Sequence, residues 1–306
     1  MTLRRFFAEL TPSKRRRILI VLLLLTAMLI VLCNALRGEL FRHTLPKDGA
    51  SFVFFSVGQA NSAVIRTSAG NVMIDTGSNA SANELLAALA YYRIDSLELL
   101  VLSHADEDHA GGFDSILKAI PVARVMMTEE THDAFRGTVS EKALQAAIEQ
   151  GTTVTIVTAG DRATVGELVL RVIAPKQTED SLSVGANESS LILLASYGDT
   201  DAVFPGDADI AGENRAAEYL SHFLPGISVE ILLVAHHGSS TSSGIDFLET
   251  LQPEYAVISC GKNNSYGHPT VSVLSRIQSV GAEILRTDQS GTVILHSDGS
   301  EIKRIR

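Results

Sequence analysis

Three regimes of hydrophobic and polar patterning succeed one another along the chain. From Ile18 to Leu36 an apolar run carries no charged residue. From Ser51 the short segments SFVFFSV, SAVIRT and NVMID, parted by Gly-containing turns, have strand character. SANELLAALAYYRI then shows the apolar spacing of an amphipathic helix, capped by Ser81 or Asn83. LELLVLSH follows as a buried strand, because its apolar character is nearly continuous. Further on the pattern interleaves. GFDSILKAI, EKALQAAIEQ, AGENRAAEYLSHFL, DFLETL and TVSVLSRIQSV read as helices, whereas ARVMMT, TVTIV, ELVLRVI, SLILLASY, DAVFPGD, ISVEILLVA, YAVISC, EILRT and GTVILHS read as strands. Two sheets flanked by helices accommodate this order, and no solenoid-length repeat is present.

The first apolar run changes the picture of the N-terminus. Nineteen residues at about 1.5 Å each reach roughly 28 Å, the thickness of a bilayer's hydrocarbon. Residues 18–36 are therefore expected to be a transmembrane anchor, preceded by a basic cytoplasmic segment, 1–17, and followed by a linker, 37–50. Lys14 and Arg15 to Arg17 stand directly before the run, and this bias predicts a single-pass protein with its N-terminus in the cytoplasm. Residues 51–306, the remaining domain, would then lie outside the cell.

Charge divides unevenly between these parts. Residues 1–47 carry 9 basic and 2 acidic side chains out of 25 and 35 in the whole chain, which leaves 16 basic and 33 acidic, net −17, beyond Lys47. General electrostatic adhesion to nucleic acid is excluded for such a domain. Of the two cysteines, Cys33 falls in the anchor and Cys260 ends a strand-like run, so no disulfide is expected.

Against this background HADEDHAGG, residues 104 to 112, stands out. Carboxylates a few ångströms apart repel one another and raise one another's pKa, so two histidines and three acids at a strand end call for a cation among them. Imidazole with carboxylate suits divalent zinc, manganese or iron. His104, Asp106, Asp108 and His109 are the candidate ligands.

HADEDHAGG also resembles the HxHxDH signature of the metallo-β-lactamase superfamily, in the HxDxDH variant of ComEC-like hydrolase domains of competence DNA uptake. FSVGQANSAVI and VMIDTGS before it, then NESSLIL, FPGDAD, VAHHGSSTSS and SCGKNNSYGHP after it, follow in the order of that family. The resemblance implies an α+β fold, the four-layer αββα sandwich, and a hydrolase using two divalent ions, zinc or manganese. It implies that Asp75 supports the cluster, that Asp207 bridges the metals, and that His237, with His236 as the alternative, ligates one of them. Asn187 occupies a position where many relatives have a histidine, and is expected to support the first site weakly. His268 would bind an anionic substrate or protonate a leaving group; Asp108, counted with it as catalytic, would with Asp207 hold the second metal and the bridge, and Ser239 and Lys262 would bind phosphate oxygens. Asp106 replaces a histidine, which favours manganese as well as zinc. Asn61 stands where the family pattern has aspartate, so no ligand role is carried to it.

The implied substrate carries phosphate, as nucleic acid or as a cell-surface phosphoester, and the implied activity is that of a phosphodiesterase or nuclease. A phosphocholine-type esterase and a non-catalytic accessory of a DNA-uptake machine are the alternatives. The many channel helices of ComEC are not in this sequence, so the chain is expected not to be an uptake pore by itself, and a membrane channel partner is expected to be a separate protein.

Overall fold

Strand formation starts at Ala50, at the head of the near-continuous apolar SFVFF segment, every residue of which is buried. The computed structural model describes residues 11–14, 17–18, 20–21, 23–28, 44–175 and 189–306. The expected anchor at 18–36 lies largely outside these, and among the described residues no helix is long and apolar enough to cross a membrane. Leu45, within the expected linker, is buried at 2 % exposure, so packing begins ahead of Ser51.

In chain order the strands are β1 (Ala50–Phe54), β2 (Ala63–Thr67), β3 (Gly70–Ile74), β4 (Leu99–Val101), β5 (Arg124–Met127), β6 (Thr153–Ile156), β7 (Arg162–Val165), β8 (Leu168–Ala174), β9 (Ile192–Tyr197), β10 (Thr200–Phe204), β11 (Ile231–Leu233), β12 (Tyr255–Ile258), β13 (Glu283–Arg286), β14 (Val293–Ser297) and β15 (Ile302–Arg304). They form an eight-stranded sheet, β15-β14-β1-β2-β3-β4-β5-β6, and a seven-stranded sheet, β13-β12-β11-β10-β9-β8-β7. Each sheet joins an antiparallel part to a parallel one. The parallel parts are β3-β4-β5-β6 and β10-β11-β12-β13. Two parallel runs place several strand C-termini side by side, the edge where loops from such sheets converge on ligands.

Period-2 alternation puts Phe52, Phe54, Ile65, Val72, Leu99 and Val101 of the first sheet against Leu170, Leu193, Phe204 and Leu233 of the second. The rings of Phe54 and Phe204 stack across this interface, centroids 6.0 Å apart. Each fully buried phenylalanine there contributes about 1.5–3 kcal/mol through removal of apolar surface from water.

The helices are α1 (Ala82–Tyr91), α2 (Glu107–Ala110), α3 (Phe113–Ala119), α4 (Glu129–Ala134), α5 (Val139–Glu149), α6 (Ile210–Phe223), α7 (Ile245–Leu251), α8 (Val271–Ser279) and α9 (Thr287–Ser290). Leu220, Phe247, Leu251, Val273 and Ile277 from α6, α7 and α8 bury the outer face of the second sheet through Val203, Leu232 and Ile258. On the first sheet the opposite-parity residues Val53, Val64, Met73, Leu100 and Val125 are fully buried, as are the inward residues Leu85, Leu89, Phe113 and Ile116 of α1 and α3. The layering is that of the expected αββα sandwich.

Two local expectations differ. Neither Ser81 nor Asn83 caps α1. Ser78 caps a 3-10 turn, Asn79–Ser81, that runs straight into α1, its side chain accepting from the Ser81 amide while the Ser81 side chain accepts in return. The segments at α4, capped by Thr128, and at β7 have too few apolar positions to reveal their periods.

Candidate metal centre

The candidate centre sits where the C-terminal ends of β3, β4, β10, β11 and β12 meet, and each delivers one turn of chain to it. Asp75 follows β3 with φ at 57°, a left-handed conformation that aspartate tolerates better than most residues. Its Oδ1 accepts the Ser103 amide at 2.8 Å and its Oδ2 the Ser103 hydroxyl at 2.8 Å. The same Oδ2 lies 2.7 Å from His109 Nδ1. Asp75 thus orients the loop after β4 from outside the cluster.

That loop enters α2 through Asp106, and the four-residue helix turns Asp108 and His109 toward the same point. Gly111 and Gly112 make the turn possible. A Cβ on Gly111 would lie 2.2 Å from the Glu107 carbonyl oxygen, and one on Gly112 would lie 2.3 Å from the Thr76 carbonyl oxygen. The second half of the motif is therefore there to seat α2 against the loop after β3.

From the second sheet, Gly206 at φ 57° releases Asp207 into the centre; a Cβ on Gly206 would lie 2.8 Å from the Ser103 Cβ. After β11, His236 and His237 both adopt left-handed backbone, at φ 50° and 54°. Consecutive non-glycine residues in this region cost of order 1–3 kcal/mol each, and such strain collects at ligand-binding sites.

One side-chain atom from each of Asp108, His109, Asp207 and His237 lies within 4.8 Å of the others. His109 Nε2 stands 2.9 Å from Asp207 Oδ1, and His237 Nε2 stands 3.1 Å from Asp108 Oδ2. His237 Nδ1 sits 2.8 Å from the Ser259 carbonyl, which only accepts, so this nitrogen carries a proton and Nε2 of the neutral ring offers a lone pair. The same reasoning applies to His104. The single hydroxyl hydrogen of Ser103 goes to Asp75, so His104 Nδ1, 3.0 Å away, donates to the Ser103 oxygen and Nε2 is left as an acceptor. Among the described residues His104 Nε2, His109 Nε2 and Asp207 Oδ1 are buried without a hydrogen-bond partner. Buried acceptors facing one another are costly unless a cation or proton lies between them, so the donor set fits a divalent metal.

His104 is buried beside this quartet, its ring centroid 4.1 Å from that of His109, and Asp106 Oδ2 lies 3.7 Å from its Nε2 with the Asp106 side chain half exposed. His236 is on the rim, its Nε2 3.6 Å from Asp207 Oδ2. His268 closes the mouth, its ring 5.8 Å from His236 and its Nδ1 3.5 Å from Gln59 Nε2. Lys262 is exposed on the same loop, whereas the Ser239 hydroxyl is buried and contacts Thr241 Oγ1 at 2.9 Å. Asn187 lies outside the described residues.

Electrostatics follow from the packing. Burial disfavours the charged form of His109, but Asp207 and Asp75 on either side outweigh it and raise its pKa well above the ordinary value. Burial likewise opposes ionisation of Asp207, yet His109 and then His237 hold its carboxyl far below the usual range. For Asp108 too burial is overcome, here by the adjacent His237 ring and by His109, and its pKa is lowered. His104 is lowered by burial and by repulsion from His109, and His268 by burial and by His236 and His237. Asp207 and Asp75 thus favour positive charge at His109, where the donor set would place a cation.

Sequence reasoning left Ser103, Gln59 and the Ser259 carbonyl without a role. Asn61 is also more central than its departure from the family pattern implied. Its amide N–H donates to the Asp108 carbonyl at 2.9 Å, its carbonyl accepts from Gly77 at 2.8 Å, and its side chain is buried with neither amide atom partnered among the described residues.

A profile of the metallo-beta-lactamase superfamily matches residues 55–262, from the end of β1 to the loop after β12. The chain belongs to this superfamily. Within it, the chain is similar to competence proteins of the ComEC type: 32 % identical to ComE operon protein 3 of Bacillus subtilis over 86 % of this chain and 35 % of that protein, and 28 % identical to competence protein ComA of Neisseria gonorrhoeae over the same shares. It spans about a third of the length of these curated relatives. Among solved structures it resembles Igni18, a metallo hydrolase from the archaeon Ignicoccus hospitalis, at 14 % identity with a TM-score of 0.53, covering 81 % of this chain and 99 % of that one. That likeness concerns the metallo-β-lactamase fold alone.

Proposed function

We propose that the chain is a metal-dependent phosphodiesterase of the nuclease type, tethered by residues 18–36 with its hydrolase domain on the outer side of the membrane. One observation carries the reading: Asp108 and His109 on α2, Asp207 after β10 and His237 after β11 reach one point from three separate segments, with lone pairs facing one another. A domain with no metal to hold has no physical reason to bear the cost of that convergence.

Two divalent ions, zinc or manganese, would lower the pKa of a shared water toward 7 and neutralise charge developing on the phosphoryl group. Asp108, His109 and His237 would hold one ion, His104 and Asp106 the other, and Asp207 both. The chain's own work is then positioning. Asp75 fixes the donor tautomer of His109, the Ser259 carbonyl fixes that of His237, and Ser103 fixes that of His104. His268 is placed by position to pass a proton at the mouth of the site, where a leaving oxygen would depart, its ring 5.8 Å from His236. Similarity to competence proteins favours a phosphodiester over an acyl bond as the one cut.

Turnover of bis(p-nitrophenyl) phosphate by the metal-loaded full chain, against its Asp108→Ala variant, tests the reading. A fall of about 100-fold or more is expected, since even residues that only support ligands are worth 10–100-fold. Equal rates in both proteins would remove the enzyme reading. Protease accessibility of the domain in intact cells against inverted vesicles tests the topology.

A further inference from the structure

The loop after β12 presents an exposed aromatic ring beside the centre, and the fold braces the loop that carries it. Tyr266 is 70 % exposed, and its ring lies 5.8 Å from that of His268, tilted by 31°. His268 in turn stands 5.8 Å from His236, whose Nε2 is 3.6 Å from Asp207. Two ring contacts thus connect Tyr266 to the candidate metal ligands.

The loop is braced across its neck. Asn264 Nδ2 donates to the Gly261 carbonyl at 3.0 Å and to the His268 carbonyl at 2.6 Å, while Asn264 Oδ1 accepts the His268 amide at 3.0 Å. Gln59 Oε1 accepts the Gly261 amide at 3.0 Å from the opposite side. A loop braced in this way costs less ordering entropy when its ring is covered. The other strongly exposed aromatic among the described residues, Phe223 at 61 %, ends α6 and packs on Tyr219 and His222.

Charge narrows what would cover Tyr266. The chain beyond Lys47 is net −17, so a polyanionic strand gains nothing from a general basic field. Affinity for such a strand has to come from the centre's grip on one phosphate and from uncharged contacts next to it. We propose that Tyr266 is the stacking platform for a nucleobase of single-stranded nucleic acid, adjacent to the phosphate held at the centre. The proposal rests on the phosphodiesterase reading above and names its substrate class. Every base offers a π-face, so the platform accepts strands without regard to sequence. Recognition of a quaternary ammonium uses a cage of several rings, and the described residues offer Tyr266 alone beside His268.

The test compares the metal-loaded full chain with Tyr266→Ala and Tyr266→Phe on three substrates: a single-stranded oligodeoxynucleotide, an abasic phosphodiester strand of equal length, and p-nitrophenyl phosphorylcholine. Because stacking is worth about 1–3 kcal/mol per base, Tyr266→Ala should raise KM for the base-bearing strand about 10-fold, Tyr266→Phe should restore it, and KM for the abasic strand should be the same in all three. Equal effects on the two strands, or none on either, would overturn the assignment while leaving phosphodiester hydrolysis intact. A defect confined to p-nitrophenyl phosphorylcholine would also overturn it, by assigning the ring to a cation. Failure of the unaltered chain to cut either strand would instead strike the phosphodiesterase reading and take this inference with it.

Discussion

His109 Nε2 and Asp207 Oδ1 stand 2.9 Å apart, each buried and neither in a directed hydrogen bond, although they arrive from different sheets. Two ligands of one divalent ion are separated by a similar distance, so the pair is shaped for a shared cation. Binding to the folded chain alone stabilises it by mass action, about 2.7 kcal/mol at a free metal concentration 100 times Kd. The chelator-stripped chain should therefore show a rise in Tm when zinc or manganese is added, and Asp207→Ala should abolish most of that rise. A Tm insensitive to both metals would count against the centre itself.

Asp75 makes the complementary case, since it touches His109 and Ser103 without facing the cluster. Asp75→Asn keeps the shape but replaces one acceptor with an NH2 group, which must face either the Ser103 donors or His109 Nδ1–H. Metal affinity should fall about 10–100-fold, the usual effect of losing a ligand's orienting partner. Competition with a chromophoric chelator would measure it, and unchanged affinity would show that Asp75 serves the turn alone.

The distribution of legible and illegible residues has a physical cause. HADEDHAGG, GDAD and HHGS could be read because each concentrates its chemistry within a few residues at a strand end. Ser103 and Gln59 could not, since a serine and a glutamine acquire meaning only through partners such as Asp75, 28 residues away, and Gly261, 202 away. The Ser259 carbonyl has no side-chain signature at all. Likewise the interleaved periods accommodate two sheets flanked by helices, and the resemblance supplied the four-layer order, whereas the cap at Ser78 depends on a 3-10 turn that no apolar spacing announces.

Gly238 couples the two histidine-bearing loops. Its φ is +84°, and a Cβ there would lie 2.5 Å from the Pro269 Cβ, next to His268. Gly226 offers a control, with φ at +78° and open space around the added atom. Gly226→Ala should cost about 1 kcal/mol, for the left-handed backbone alone. Gly238→Ala should cost clearly more in urea denaturation and should also depress turnover, because His237 and His268 would both shift. Equal costs would mean that the contact with Pro269 yields freely.

Glu213 on α6 supports the loop after His237 from below. Its fully buried carboxylate accepts the Ser243 amide at 2.7 Å and the Gly244 amide at 2.8 Å, while Arg276 donates to the Ser242 and Ser243 carbonyls. Burial pushes its pKa up to about 7, against the pull of those amides and of Arg276, with Asp209 adding to the rise. A carboxyl with a raised pKa holds its proton more tightly in the folded state than in the unfolded one. Its contribution to stability therefore falls as pH rises from about 4.5 to 7 and is constant above, a span of about 3 kcal/mol at 1.36 kcal/mol per unit. Glu213→Gln does not titrate. The stability difference between the unaltered chain and this variant, from urea unfolding at pH 5, 6, 7 and 8, should shrink by that order as pH rises, whatever constant offset the misplaced NH2 group adds. A difference that stays level from pH 5 to 8 would mean that Glu213 remains ionised throughout, its charge fully met by the two amides and Arg276.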